Sequence, residues 1–219
     1  MKLKFNLLLF TTFISINVFS SDEMPEDCNN INVPESERSF SNNFTGNFNG
    51  KNLKYTASLK EKILYEKDNP NEPMASFFYT EYIVDSDDNR PVIFSFNGGP
   101  GSASLWLHMG VLGPKVIKVP SDASDDGSAP YKIVDNKLSP LSDADLVFID
   151  PIGTGYSRAV GCHEPEEFWG VSEDPKIIAE FIRRWINDSK RWNSPRYILG
   201  ESYGGIRGPL LVSELRSGS

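Results

Sequence analysis

Histidine and cysteine are scarce in this 219-residue chain, with two of each. Cys28 and Cys162 specify nothing by their spacing: they either form one disulfide, which an exported chain permits, or both stay free. There is no C-x-x-C, no H-x-x-x-H and no histidine–carboxylate cluster at ligand spacing. The sequence therefore offers no metal site and implies no cofactor. A basic stripe is missing as well. The formal net charge is −8, with 24% charged residues, an acidic composition that argues against nucleic-acid partners, whose phosphates call for lysine and arginine. Beyond the first 20 residues no stretch is apolar enough to cross a membrane,. No internal repeat is evident.

What is present begins with a leader. Lys2 and Lys4 make a positive start, Phe5 to Phe19 is a mainly apolar run, and Val18-Phe19-Ser20 suits a cleavage site. This predicts a secretory signal peptide over 1–20 rather than an anchor, because the run is short for a span of about 20 apolar residues. The implied location is periplasmic or extracellular, or an endomembrane or lysosome-like lumen in a eukaryote. Cys28 follows no apolar segment ending in small residues, which argues against a lipoprotein anchor. Residues 21–42 are polar and predict an extended or loosely docked arm. Residues 43–219 are long enough for one domain with its own core. Asn43-Phe44-Thr45 and Asn187-Asp188-Ser189 are glycosylation sequons, meaningful in a eukaryotic secretory pathway,.

Within that domain, Asn49-Gly50 is a hairpin-turn pair between Phe44–Phe48 and Leu53–Leu59,. Ile63–Tyr65 and Ser76–Val84 continue the aromatic and β-branched pattern, so the opening strands are expected to be antiparallel. Pro91–Phe96, Leu146–Asp150 and Arg196–Gly200 differ. They are near-continuous apolar runs, as expected for strands buried on both faces. Each stops in a glycine-bearing turn, which predicts an α/β fold with a mostly parallel sheet and its site outside the strands' carboxyl ends. Residues 120–140, rich in Ser, Asp, Gly and Pro, read as a surface excursion. Ser172 with Glu173, Asp174 and Pro175 opens a helix whose Ile177, Ile178, Phe181, Ile182 and Trp185 make one core-facing stripe,. A further helix follows Ser202, weakened by Gly208-Pro209.

The chemistry is carried by two turns. Gly200-Glu201-Ser202-Tyr203-Gly204-Gly205 has the G-x-S-x-G form of a nucleophile elbow,. That form places a serine hydroxyl on a sharp strand-to-helix turn, with the next backbone N–H, here that of Tyr203, as one oxyanion donor. Position is only half of what a serine needs; activation requires a base. Asn97-Gly98-Gly99-Pro100-Gly101-Ser102 lets backbone amides approach a ligand closely, which a second oxyanion donor demands,.

Taken in order, Asn97–Ser102, Gly113-Pro114, Asp150-Pro151-Ile152-Gly153-Thr154-Gly155-Tyr156-Ser157 and Gly200–Gly205 resemble the serine carboxypeptidase family. The resemblance runs from about Phe44 to the end and matches the N-terminal half of such an enzyme. It implies an α/β-hydrolase fold and release of C-terminal residues from peptides with a free C-terminus. It implies Ser202 as nucleophile, Gly99 and Tyr203 as oxyanion-hole amides, and Asn97 and Glu201 as the groups binding the substrate's terminal carboxylate. Glu201 would donate as a neutral carboxyl group, since only that form can hydrogen-bond a carboxylate. Two positions depart from the family pattern: Ser95 stands where many members have tryptophan, and Val111 where they often have a glutamate that shares a proton with Glu201.

The family's aspartate and histidine lie far downstream of the serine, whereas His108 and His163 both precede Ser202. His108 is expected in a helix as a packed or surface residue, and His163 in an exposed loop. The leading expectation is thus a carboxypeptidase-like hydrolase given as a portion, with little or no peptidase activity by itself. A non-catalytic truncated product or binding module is the second reading. An esterase or acyltransferase on the same fold is the third.

Overall fold

The computed structural model describes Cys28, 31–86, 89–119 and 129–217. The expected signal peptide and the start of the polar arm lie outside the described residues. Strand β1 (Ser39–Phe48) pairs antiparallel with β2 (Lys51–Tyr65) across the Asn49-Gly50 turn. Both turn residues have positive φ, 49° and 80°, the geometry that a two-residue hairpin loop needs and that Asn-Gly supplies. Leu53–Leu59 and Ile63–Tyr65 belong to one 15-residue strand. Strand β3 (Pro73–Val84) pairs antiparallel with β2.

The remaining main strands are β4 (Val92–Phe96), β7 (Asp145–Ile149) and β9 (Arg196–Gly200). The seven-stranded sheet runs β1-β2-β3-β7-β4-β9, with the two-residue β8 (Arg158–Ala159) also on β3. Only the β7-β4-β9 portion is parallel; β1, β2, β3 and the β3–β7 junction are antiparallel. The sheet is therefore mixed rather than mostly parallel, because the three opening strands are long and form half of its width. A separate antiparallel pair joins β5 (Lys115–Lys118), just before the expected surface excursion, to β6 (Lys132–Asp135) within it.

One face of the sheet is covered by α2 (Glu173–Ser189), which brings Ile178, Phe181, Ile182 and Trp185 against Phe77, Tyr79 and Phe94. Trp185 meets the Phe94 ring edge-on at 5.2 Å. Burying each such aromatic contributes roughly 1.5–3 kcal/mol. The opposite face carries a smaller cluster of Phe48, Tyr55, Tyr82, Leu141 and Phe148. At the base of the parallel strands the fully buried Asp145 accepts from Val84 N–H and from both Arg90 and Arg191, so its charge is compensated,.

The arm is fastened at several places, among them Glu37, which accepts from Lys62 and from Ile63 N–H. Cys28 and Cys162 form a disulfide. Arg38 makes a forked ion pair with the buried Glu61. Strand β1 starts at Ser39, inside the stretch that the sequence assigns to the arm. No helix among the described residues is long and apolar enough to cross a membrane.

Candidate active site

Strand β9 ends at Gly200, and α3 (Gly204–Ser217) starts three residues after Glu201. Between them the chain turns so tightly that Gly204 N–H bonds Glu201 O at 2.8 Å. Ser202 sits at the apex with φ of 58°, a left-handed conformation that a non-glycine residue adopts only at a cost of about 1–3 kcal/mol. A side chain at Gly200 would strike the Gly204 carbonyl at 2.5 Å. Backbone crowding thus requires glycine at position 200, and the serine is left exposed at the tip.

The other turn closes onto this one. Glu201 N–H bonds the Phe96 carbonyl at 3.3 Å, extending the β4–β9 ladder one step into the elbow. A Cβ at Gly98 would run into Tyr203 N, the Glu201 carbonyl and Ser202 Cβ. Only glycine fits there, and its fit seats the Asn97 turn directly against the backbone of Glu201, Ser202 and Tyr203. Gly99, at φ of 110°, takes a conformation that favours glycine,. Ser102 N–H bonds the Gly98 carbonyl at 3.1 Å. Because the peptide unit is planar and trans, this fixes the Gly99 N–H pointing the opposite way.

Asn97 is 1% exposed and uses three of its polar groups. Its Nδ2 donates to Glu201 Oε2 at 3.2 Å, its Oδ1 accepts from Leu107 N–H at 3.0 Å, and its backbone carbonyl accepts from Arg207 at 2.7 Å. The two residues expected to bind a carboxylate are therefore brought into contact, with Glu201 exposed toward solvent. Asp150, first residue of the Asp150–Ser157 motif, accepts from Ser104 N–H at 2.8 Å and so ties the segment after the Asn97 turn to the end of β7. Burial pushes the Asp150 carboxyl up. The departures also have places: Val111 is exposed, and Ser95 is buried with an Oγ that has no hydrogen-bond partner.

Sequence reasoning missed Arg207 and Asp174. Arg207 lies on the first turn of α3 with 2% exposure, yet carries a charge. Its Nε donates to Asp174 Oδ2 at 2.6 Å. Its guanidinium also lies over the Phe96 and Tyr203 rings at 5.1 and 5.2 Å, a cation–π arrangement. Burial is the main influence on Asp174 and raises its pKa, and Arg207 opposes that shift. The only sequence signal was a lone arginine among small and apolar residues after the elbow.

Both histidines are engaged elsewhere. His108 lies in a π-helical turn (His108–Leu112) that continues the three-residue α1 (Leu105–Leu107). Its ring stacks on Phe148 at 4.6 Å, and its Nε2 shares a 2.6 Å hydrogen bond with the Tyr82 hydroxyl, whose pKa burial raises. Burial lowers the His108 pKa to about 4. His163 is not in an exposed loop as expected: its side chain is 11% exposed, with Nδ1 donating to Glu167 at 3.0 Å and Nε2 at 3.5 Å from Glu66. The neighbouring disulfide holds this segment down, which a sequence with an open cysteine pairing did not show. Among the described residues, no group of three or more His, Cys, Asp or Glu is arranged to hold a metal ion.

The geometry agrees with what comparison with known proteins finds. Residues 53–219 match the family model described as serine carboxypeptidase. The chain belongs to the serine carboxypeptidase family. Serine carboxypeptidase-like 9 of Arabidopsis thaliana is 32% identical over 153 residues, covering 68% of this chain and 33% of that protein. Serine carboxypeptidase-like 2 of the same plant is 31% identical over 155 residues, covering 68% and 33%. Serine carboxypeptidase-like 8 is 30% identical over 148 residues, covering 65% and 32%. The chain thus spans about a third of the length of these curated relatives. Membership in this family implies an α/β-hydrolase fold, consistent with the mixed sheet and the elbow.

Proposed function

We propose that this chain carries the nucleophile and oxyanion half of a serine-type carboxypeptidase site. Ser202 attacks the last peptide carbonyl of a substrate, the Gly99 and Tyr203 amides receive the developing oxyanion, and Asn97 with Glu201 holds the substrate's terminal carboxylate. The observation that carries the reading is the seating of Gly98 against Ser202 and Tyr203, with Asn97 in contact with Glu201. That contact puts a donor amide and a carboxyl group side by side where the free C-terminus of an extended peptide would arrive.

Each residue's contribution follows from its surroundings. The strained backbone at Ser202 presents Oγ clear of the helix that follows,. Two preorganised amides stabilise charge that appears only in the transition state, an effect worth about 3–4 kcal/mol per donor. Neither histidine of this chain is placed to take the Ser202 proton, since one is packed under Tyr82 and the other is held by glutamates. Ser202 is thus positioned but not activated by the residues described, and peptidase turnover by this chain alone is expected to be at or near background. The Cys28–Cys162 bridge suits maturation in an oxidising compartment, in keeping with export,.

The test is a binding titration of a benzoyl-blocked Gly-Leu dipeptide against its C-terminal amide. The reading expects the free acid to bind more tightly, by about tenfold for one charge-assisted hydrogen bond, and expects Asn97→Ala to remove the difference. Equal affinities for acid and amide would sink the carboxylate role of Asn97 and Glu201.

A further inference from the structure

Arg207 is among the largest fully buried side chains in the molecule, and the roles proposed so far do not use it. Burying an arginine with one carboxylate brings little net stability, since desolvation offsets most of the attraction. What a guanidinium does supply is direction, because its donors leave a rigid plane at fixed angles. Here the two arms go to different elements. Nε reaches Asp174 in the first turn of α2, and one terminal nitrogen reaches the Asn97 carbonyl at the end of β4. The plane itself lies between the rings of Phe96 and Tyr203, the residues immediately before Asn97 and immediately after Ser202. Arg207 N–H bonds the Tyr203 carbonyl at 3.0 Å, so the side chain projects from the same turn that carries the elbow.

These contacts converge on one peptide unit. The Asn97 carbonyl and the Gly98 N–H share a plane, and Gly98 on its far side has no side chain to limit its rotation. Ser102 N–H restrains the next unit through the Gly98 carbonyl. With no side chain at Gly98, the Asn97–Gly98 plane is held by its bonds, and losing the Arg207 bond to the Asn97 carbonyl would let Asn97 shift relative to Glu201. We propose that Arg207 is a positioning residue that, oriented by Asp174, locks the Asn97–Gly98 peptide so that the Asn97 side-chain amide stays against Glu201. This deepens the carboxypeptidase reading and rests on it for the meaning of the aligned groups, but the alignment itself is measurable without any reaction.

The experiment uses Arg207→Lys and Asp174→Asn, with Asn97→Ala as reference. A lysine at 207 can satisfy either Asp174 or the Asn97 carbonyl but cannot fork to both; asparagine at 174 keeps the shape and releases the fork. Two readouts are taken on the same samples: the acid-over-amide preference for the blocked dipeptide, and the NMR resonances of the Asn97 side-chain amide. The expected result is folded variants whose Asn97 resonances shift. Their acid preference should fall by about tenfold, the size of one charge-assisted hydrogen bond, while affinity for the amide is kept. Adding Asn97→Ala to Arg207→Lys should bring no further loss, because both act on one group. Folded variants with unchanged resonances and unchanged preference would overturn the proposal. So would failure of both variants to fold while Asn97→Ala folds, since the pair would then be a structural element only. If the wild-type protein shows no acid preference, the carboxylate reading falls, and the resonances alone decide the role of Arg207.

Discussion

Strands β4 and β9 are parallel neighbours of the same length, and each ends in one half of the candidate site. They are nonetheless held very differently. Strand β4 lies between β7 and β9, and its Val92, Phe94 and Phe96 are fully buried. Strand β9 has β4 on one side and, among the described residues, no strand on the other, with Tyr197 58% exposed. Beyond it, α3 shows Ile206, Leu210 and Val212 to solvent. The Asn97 turn thus stands on a buried strand paired on both sides, while the serine turn stands on the outermost strand described. The elbow takes its position from that better-held neighbour, through the β4–β9 ladder, the Gly98 contact and the Arg207 fork.

The contrast can be probed by unequal truncation. Phe94→Ala removes a fully buried ring from under Trp185 and should cost about 3–5 kcal/mol. Ile198→Ala on β9 should cost roughly 1–2 kcal/mol, because part of that side chain is already wet. Denaturant unfolding of both variants measures the difference, and equal losses would contradict the asymmetry. The far side of the sheet has its own fastening. Replacing both Cys28 and Cys162 by serine should lower stability by about 2–4 kcal/mol, the usual size for a long closed loop. Because neither cysteine is among the residues assigned to the site, dipeptide binding by the folded protein should be unchanged.

A pH series tests the packed histidine beside the Asn97 turn. His108 has its pKa lowered from 6.5 to about 4, so between those values the unfolded chain binds a proton that the folded one refuses. Stability contributed this way is full above pH 6.5 and is lost as pH falls toward 4. The loss amounts to at most about 3 kcal/mol. His108→Gln should flatten that part of the stability–pH curve, and an unaltered slope would remove His108 as its cause. The smallest effect is expected at the outermost strand. Tyr197→Lys should change stability by less than about 0.5 kcal/mol but reduce self-association, since charge on an edge strand discourages pairing with another chain. Sedimentation at several concentrations reads this directly.

The contrast between the two strands also marks what the sequence could and could not convey. The Asn97 and Ser202 turns were legible because each has a glycine that physical crowding demands, at Gly98 and Gly200. The α2 stripe was legible from helical spacing, and Ile177 to Trp185 are buried where it put them. The exposure of β9 was not, because an apolar run such as Arg196–Gly200 does not say how many neighbours its strand has. Arg207 was unreadable for a related reason: a charge on a helix reads as a wet face until its partner, here Asp174 from another helix, is placed beside it. The burial of His163 followed from a disulfide whose pairing two distant cysteines leave undetermined.

The central claim is that Ser202 is positioned by its elbow while both histidines of this chain are committed to other contacts. Treatment of the folded chain with a fluorophosphonate, followed by peptide mass mapping, tests it most directly. The account predicts labelling of Ser202 no faster than that of ordinary exposed serines. Rapid stoichiometric labelling at Ser202 would contradict it, by showing that a base within these residues already activates the hydroxyl.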